Sequence, residues 1–155
     1  MREYTLPALI LLCLATAFAQ TEAPAWKPIK DPKGACQIQV PPDWAPLGEA
    51  AGAAVFRDTS TALAAVTSQP GQTFKPLSET LLKLLEIPKS RLFENTSKRV
   101  FYQDKVSRGA EDPNGYSISV PGKDGSCGCH IIFVPGVPEE TVRKIALSLA
   151  PVPAE

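Results

Sequence analysis

Residues 35–41, ACQIQVP, alternate cleanly between apolar and polar side chains. Cys36, Ile38 and Val40 share one face, and Gln37 and Gln39 the other. Period two with one polar face predicts a strand lying half-buried on a core. PPDWAP stops it, Trp44 covers a core edge with its large apolar body, and GEAAGA reads as a loop. AAVFRD (53–58) and ALAAVTSQ (62–69) predict two strands joined in hairpin fashion by Thr59, Ser60 and Thr61. Their alanines let a helix pack close.

The period then changes. In KPLSETLLKLLEIPKS, Leu77, Leu81, Leu84 and Leu85 recur at i, i+4, i+7 and i+8, which predicts a helix with a core-facing stripe. Pro76 suits its first turn, and Pro88 ends it by pushing Ile87 towards an extended conformation. Strands return with RLFENT and RVFYQDKVS (99–107). There Val100, Tyr102 and Val106 share a face with Asp104 as the exception, and Phe101 lies on the other. RGAEDPNG is turn chemistry. YSISVPG (116–122) alternates Tyr116, Ile118 and Val120 against Ser117 and Ser119, and KDGS turns the chain into CGCHIIFVP. The last pattern, VPEETVRKIALSLAP, predicts a helix opened by Pro138, with Glu139 and Glu140 complementing its N-terminal dipole. Val142, Ile145, Ala146 and Leu149 form its apolar stripe, and Pro151 ends it.

The order is three strands, a helix, about four strands and a final helix. Short turns between strands, with helices as separate blocks, predict an α+β fold: an antiparallel β-sheet with two main helices packed on it.

The N-terminus changes where that fold begins. Leu6 to Phe18 is an apolar run broken by Pro7 and Thr16, and Ala17-Phe18-Ala19 fits the small-x-small cleavage rule. The run is shorter than the ~20 residues of a comfortable membrane span. Residues 1–19 therefore read as a signal peptide, leaving no stable membrane span once removed. Cys13 lies inside it, and Leu11-Leu12 before that cysteine make a poor lipoprotein signal. Residues 20–34 carry Pro24, Pro28 and Pro32 and read as an extended leader or linker, not a strand within a sheet. Residues 35–151 form a single domain and 152–155 a tail. Export places the chain in the periplasm or outside the cell.

Charge excludes some partners. Sixteen Lys and Arg balance sixteen Asp and Glu in the 155-residue chain. No excess points to nucleic acid or to an anionic membrane. Asn95-Thr96-Ser97 matches the short N-glycosylation pattern.

The candidate chemistry sits in GSCGCHIIFV, 125–134, where two cysteines meet the chain's one histidine. A c-type haem needs Cys-x-x-Cys-His. Cys127-Gly128-Cys129-His130 is one residue short and lacks a second axial ligand, so no cofactor is expected. Cys36, Cys127, Cys129 and His130 would make a Cys₃His set soft enough for zinc or copper(I). Strand geometry opposes it: the two sulfurs point one way, ~6.6 Å apart along the strand, and His130 points the other. A Cys127–Cys129 redox pair needs the strand to buckle. A structural disulfide from Cys36 fits the apolar faces better, with Cys36–Cys129 favoured and Cys36–Cys127 the alternative; three buried reduced thiols, packed as small hydrophobes, are the remaining reading. Either pairing leaves one thiol over. His130 shares its face with Gly128, Ile132 and Val134 on a strand apolar on both sides, hence central. No catalytic set is evident: there is no second histidine, and Ser126 lacks a nucleophile elbow.

CQIQVPPDW, AAVFRD, the LSETLLKLLEIP helix and the terminal VRKIALSLAP helix, in this order, resemble the PsbP-like superfamily. Its members include the extrinsic photosystem II subunit and many exported bacterial proteins. The resemblance covers roughly residues 35–151 and implies a PsbP-like α/β/α sandwich and a noncatalytic role. The expected function is therefore an exported binding or assembly module, not an enzyme, for an unknown protein or envelope component. A metal-binding (Zn or Cu) protein using the Cys/His cluster is the alternative, and a thiol-redox protein a second.

Overall fold

The structure, a computed structural model, describes residues 25–50, 53–58, 62–105 and 114–153. The expected signal peptide, the start of the leader, Thr59–Thr61, Val106 and most of the RGAEDPNG turn lie outside these residues.

In chain order the elements are β1 (Lys27–Lys30), β2 (Cys36–Val40), β3 (Ala45–Ala50), β4 (Ala53–Asp58) and β5 (Ala62–Pro70). Helix α1 (Glu79–Leu84) and a 3-10 turn at Lys89–Arg91 follow. Then come β6 (Leu92–Asn95), β7 (Val100–Lys105), β8 (Asn114–Pro121), β9 (Gly125–Phe133), helix α2 (Glu139–Leu147) and β10 (Ala150–Pro151). They build two sheets, antiparallel throughout: a small one in the order β1-β2-β10, and a seven-stranded one in the order β3-β4-β5-β9-β8-β7-β6. The protein is thus α+β. Strand β9 is the middle strand of the large sheet, as its two apolar faces suggest.

One face of the large sheet carries the core. Across its strands run Val66, Cys129, Ile118 and Phe101 in direct register, with Ala64, Ile131 and Tyr116 in the next row. All are buried. Cys36, Ile38 and Val40 of β2, and Val142, Ile145 and Ala146 of α2, close over this face. The alternation read for β2, β8 and β9 and the stripe read for α2 hold, because each buries its period-matched set.

Three strands were not expected. Strand β1 lies in the supposed leader, so residues 27–30 join the fold. Its proline, Pro28, is tolerated because β1 is an edge strand, paired on one side to β2. Strand β3 replaces the loop expected after Trp44, and β10 forms where Pro151 was taken as a stop.

The larger correction concerns α1. Ser78 caps it, its hydroxyl accepting from the Leu81 amide at 3.2 Å. Yet α1 buries none of its six residues. Leu81, Leu84 and Leu85, expected as core, are 43%, 74% and 47% exposed. The inner face is already covered by β2 and α2, so one helix packs on the sheet instead of two. Both flanks are tied down instead. The Asn95 side chain bonds the Leu77 amide and carbonyl at 2.8 and 2.9 Å, and Ile87 is buried just past the helix.

Candidate functional surface

The cysteines meet where the two sheets cross. Asp31, 3% exposed, is the hub. Its Oδ1 accepts from the amides of Ala35 and Cys36, both at 2.8 Å, and its Oδ2 accepts from the Ser68 hydroxyl at 2.6 Å. Gly34, at φ 67°, gives the turn its left-handed step. Ser68 lies directly opposite Cys127 in the β5–β9 ladder. Asp31 therefore pins Cys36 above Cys127, and these two sulfurs sit 2.03 Å apart with Cα atoms 5.6 Å apart. The favoured Cys36–Cys129 pairing is corrected to Cys36–Cys127. Alternation fixes the face a cysteine points to, but the register between two crossing sheets is set here by Asp31. Burial works against the Asp31 charge. The Ser68 hydroxyl and the amides of Cys36, Lys33 and Ala35 together outweigh it and hold the carboxyl below its ordinary 3.8.

Cys129 is the leftover thiol. It is buried in the core, and burial pushes its pKa up to about 12. A thiol so rarely ionised is a poor nucleophile and a poor metal ligand. A cleft of about 380 Å³ opens near the bridge, lined by Lys33, Ser68, Gly125 and both bridged cysteines, which are themselves buried.

His130 faces away from the sulfurs, on the opposite side of β9. Its Nδ1 lies 2.8 Å from Ser117 Oγ, which in turn lies 3.4 Å from Asp104 Oδ2. With the hydroxyl donating to the carboxylate, Nδ1 carries the proton that Ser117 accepts. This row explains why Asp104 interrupts the apolar face of β7. Burial lowers the His130 pKa, against the opposing pull of Asp104, so the ring is neutral near pH 7. In a hydrolytic triad the imidazole stands between acid and hydroxyl; here the hydroxyl stands in the middle. Cys36, Cys127, Cys129 and His130 do not converge, and among the described residues no His, Cys, Asp and Glu cluster could hold a metal ion.

At the other end of the core, Arg143 of α2 lies over Phe93, Phe101 and Tyr116, at 4.6, 5.6 and 5.9 Å from the ring centroids. The Tyr116 hydroxyl donates to Glu139, and burial, then Glu139, push its pKa up to about 12. This aromatic cage is filled by the protein's own Arg143 guanidinium, which anchors α2.

The remaining surface feature is the α1 arm. At 100° per residue, Leu81, Leu84 and Leu85 fall on one side of the helix, and Glu79, Leu82, Lys83 and Glu86 on the other. The second side borders a hollow of about 640 Å³, lined also by Ile87, Pro88, Lys89, Arg91 and Leu92. The apolar side faces water. The leucine spacing announced this feature, but amphipathicity alone does not say which side turns inward.

These features define a two-sheet α+β protein, tied across its sheets by a disulfide, that presents an outward apolar helix. No helix among the described residues is long and apolar enough to cross a membrane. No family model matches the chain, and no curated protein matches it. Among solved structures it is similar to a protein of Bacteroides thetaiotaomicron VPI-5482, with a TM-score of 0.57 and 10% identity. The match covers 81% of this chain and 48% of that one, so this chain spans about half the length of its structural neighbour. At that identity the likeness is one of fold.

Proposed function

We propose that the protein is an exported, noncatalytic binding or assembly module of PsbP-like type, and that α1 is its binding element. The observation that carries the reading is the outward leucine side of α1, with Leu84 74% exposed. Exposed leucines at helical spacing on a helix clamped at both flanks serve contact with something outside the fold. Export is supported by the signal-like N-terminus and by the Cys36–Cys127 bridge, which suits an oxidising compartment. The PsbP-like assignment rests on the element order and the CQIQVPPDW turn.

The test is a photo-crosslinking amino acid placed at position 84, with position 43 as an exposed control, in the protein's native envelope. A discrete adduct at 84 and none at 43 is expected. Equal yields at both positions, or a hydrolytic or thiol-redox turnover abolished by His130→Ala, would refute the proposal.

A further inference from the structure

Hydrophobic burial alone would turn α1 the other way round. Its leucine stripe faces water, while Glu79, Lys83 and Glu86 face a hollow that Leu82, Ile87, Pro88 and Leu92 help to line. The helix's C-terminal cap holds it so. The Ile87 amide donates to the Leu82 carbonyl at 2.9 Å, and the Glu86 amide to the Lys83 carbonyl at 3.1 Å. This is the Schellman ending, with Glu86 in its left-handed position at φ 53°. Glycine is the usual residue there, because a side chain strains that backbone. Glu86 is the one non-glycine residue at positive φ among the described residues. Its carbonyl accepts from Arg91 Nη2 at 2.6 Å, and Arg91 Nη1 donates to the Gln103 carbonyl of β7 at 3.4 Å. The cap ties Leu82 to the buried Ile87, so the side of α1 that bears Leu82 turns to the body and the stripe turns out.

We infer that α1 is a two-state arm whose facing is set by the backbone of Glu86. With Glu86 left-handed, the leucines face out. With Glu86 extended, the cap opens, the helix rolls, and Leu81, Leu84 and Leu85 enter the hollow. At about 100° per residue the two sides lie roughly half a turn apart. Asn95 holds Leu77 on one flank and Ile87 is buried on the other, so Ser78 and Glu86 are the joints. The hollow, about 640 Å³, exceeds the volume of three leucine side chains. Rolling returns Glu79 and Lys83 to water, where charge costs least. A partner on the leucine side draws the arm out, and loss of the partner lets it close. The roll regulates the binding element proposed above, and its purpose, though not its mechanics, rests on that reading.

The test is NMR of labelled leucine methyls in the exported form, its N-terminus determined by mass spectrometry, with a water-soluble paramagnetic agent reporting exposure. Glu86→Gly relieves the left-handed cap and favours the outward state. Glu86→Val opposes that backbone with a branched side chain and favours the inward state. Between the two variants the ratio of states should move roughly tenfold or more. Relaxation of the Leu84 methyls by the agent should be unchanged or higher in Glu86→Gly and fall by about half or more in Glu86→Val. Leu47, 54% exposed elsewhere, should be unchanged in both, and unshifted core methyls will show that the rest is folded. Equal relaxation of Leu84 in wild type and both variants would overturn the inference. So would random-coil shifts for the α1 methyls in Glu86→Val, since the helix would then have frayed instead of rolled. An adduct at position 84 with no effect of Glu86 would sink the roll and keep the binding element. An effect of Glu86 with no adduct would keep the roll and sink the binding element.

Discussion

Replacing Cys36 and Cys127 by alanine together is expected to destabilise the protein by about 4.6 kcal/mol. The bridged residues are 91 apart in sequence. Closing a loop of that length removes about 15.5 cal/mol/K of entropy from the unfolded chain, which at 25 °C gives the figure above in the loop-closure treatment. Against a typical total of about 5–15 kcal/mol, that is a large share. For a domain of this size the melting temperature should fall by roughly 15 °C. Urea denaturation of oxidised wild type and the double variant, both in the absence of reductant, measures the difference. Two single variants test the register as well as the energy. Cys129→Ala keeps the bridge and loses only the packing of a small buried group, about 1 kcal/mol. Cys127→Ala loses the bridge, and peptide mapping will show whether Cys36 reaches two residues along to Cys129. The reasoning fails if the double variant is less than about 1 kcal/mol less stable, or if the native bridge vanishes in Cys129→Ala and persists in Cys127→Ala.

Acid should act partly through Asp31. Its folded pKa lies below 3.8, so its stabilisation is fully present above 3.8 and is lost as pH falls through the folded value. Urea midpoints of wild type and Asp31→Asn should therefore differ most above that pH and converge below it; a constant gap would refute the assignment. His130 has the opposite charge type. Its folded pKa is below 6.5, so stability is level above 6.5 and falls with pH from there to the folded value. An NMR titration of the ring should give a midpoint below 6.5, moved lower still by Asp104→Asn. A midpoint above 6.5 would refute the burial argument. Leu84→Ala should change stability by less than about 0.5 kcal/mol, and Ile145→Ala, in the core, should cost about 3 kcal/mol. Equal losses in urea melts would mean that α1 is packed after all.

The sequence carried the periodicity of the fold further than its direction. Cys36, Ile38 and Val40, or Cys127, Cys129, Ile131 and Phe133, can share a buried side only as strand residues, so β2 and β9 were legible. The leucines of α1 were equally legible as a stripe, but a stripe does not say which way it turns, and the core face is covered by β2 and α2 instead. Strand β1 was hidden by its proline, which an edge position accommodates. Asp31 was hidden more deeply. In sequence it is a charge between a lysine and a proline. Its role as hub depends on Ser68, 37 positions away. For the same reason the choice between Cys127 and Cys129 was open until the crossing of the sheets was known. The Asp104–Ser117–His130 row left one trace, the acidic residue breaking the apolar alternation of β7.

The small sheet is built from both ends of the domain: β1 and β2 come first in the described chain, and β10 comes last. During synthesis Cys36 therefore emerges with no partner until Cys127 follows, and β2 keeps an open side until Ala150 arrives. A chain broken off before residue 127 presents a thiol that the bridged fold conceals, so the bond reports chemically that synthesis has passed that residue.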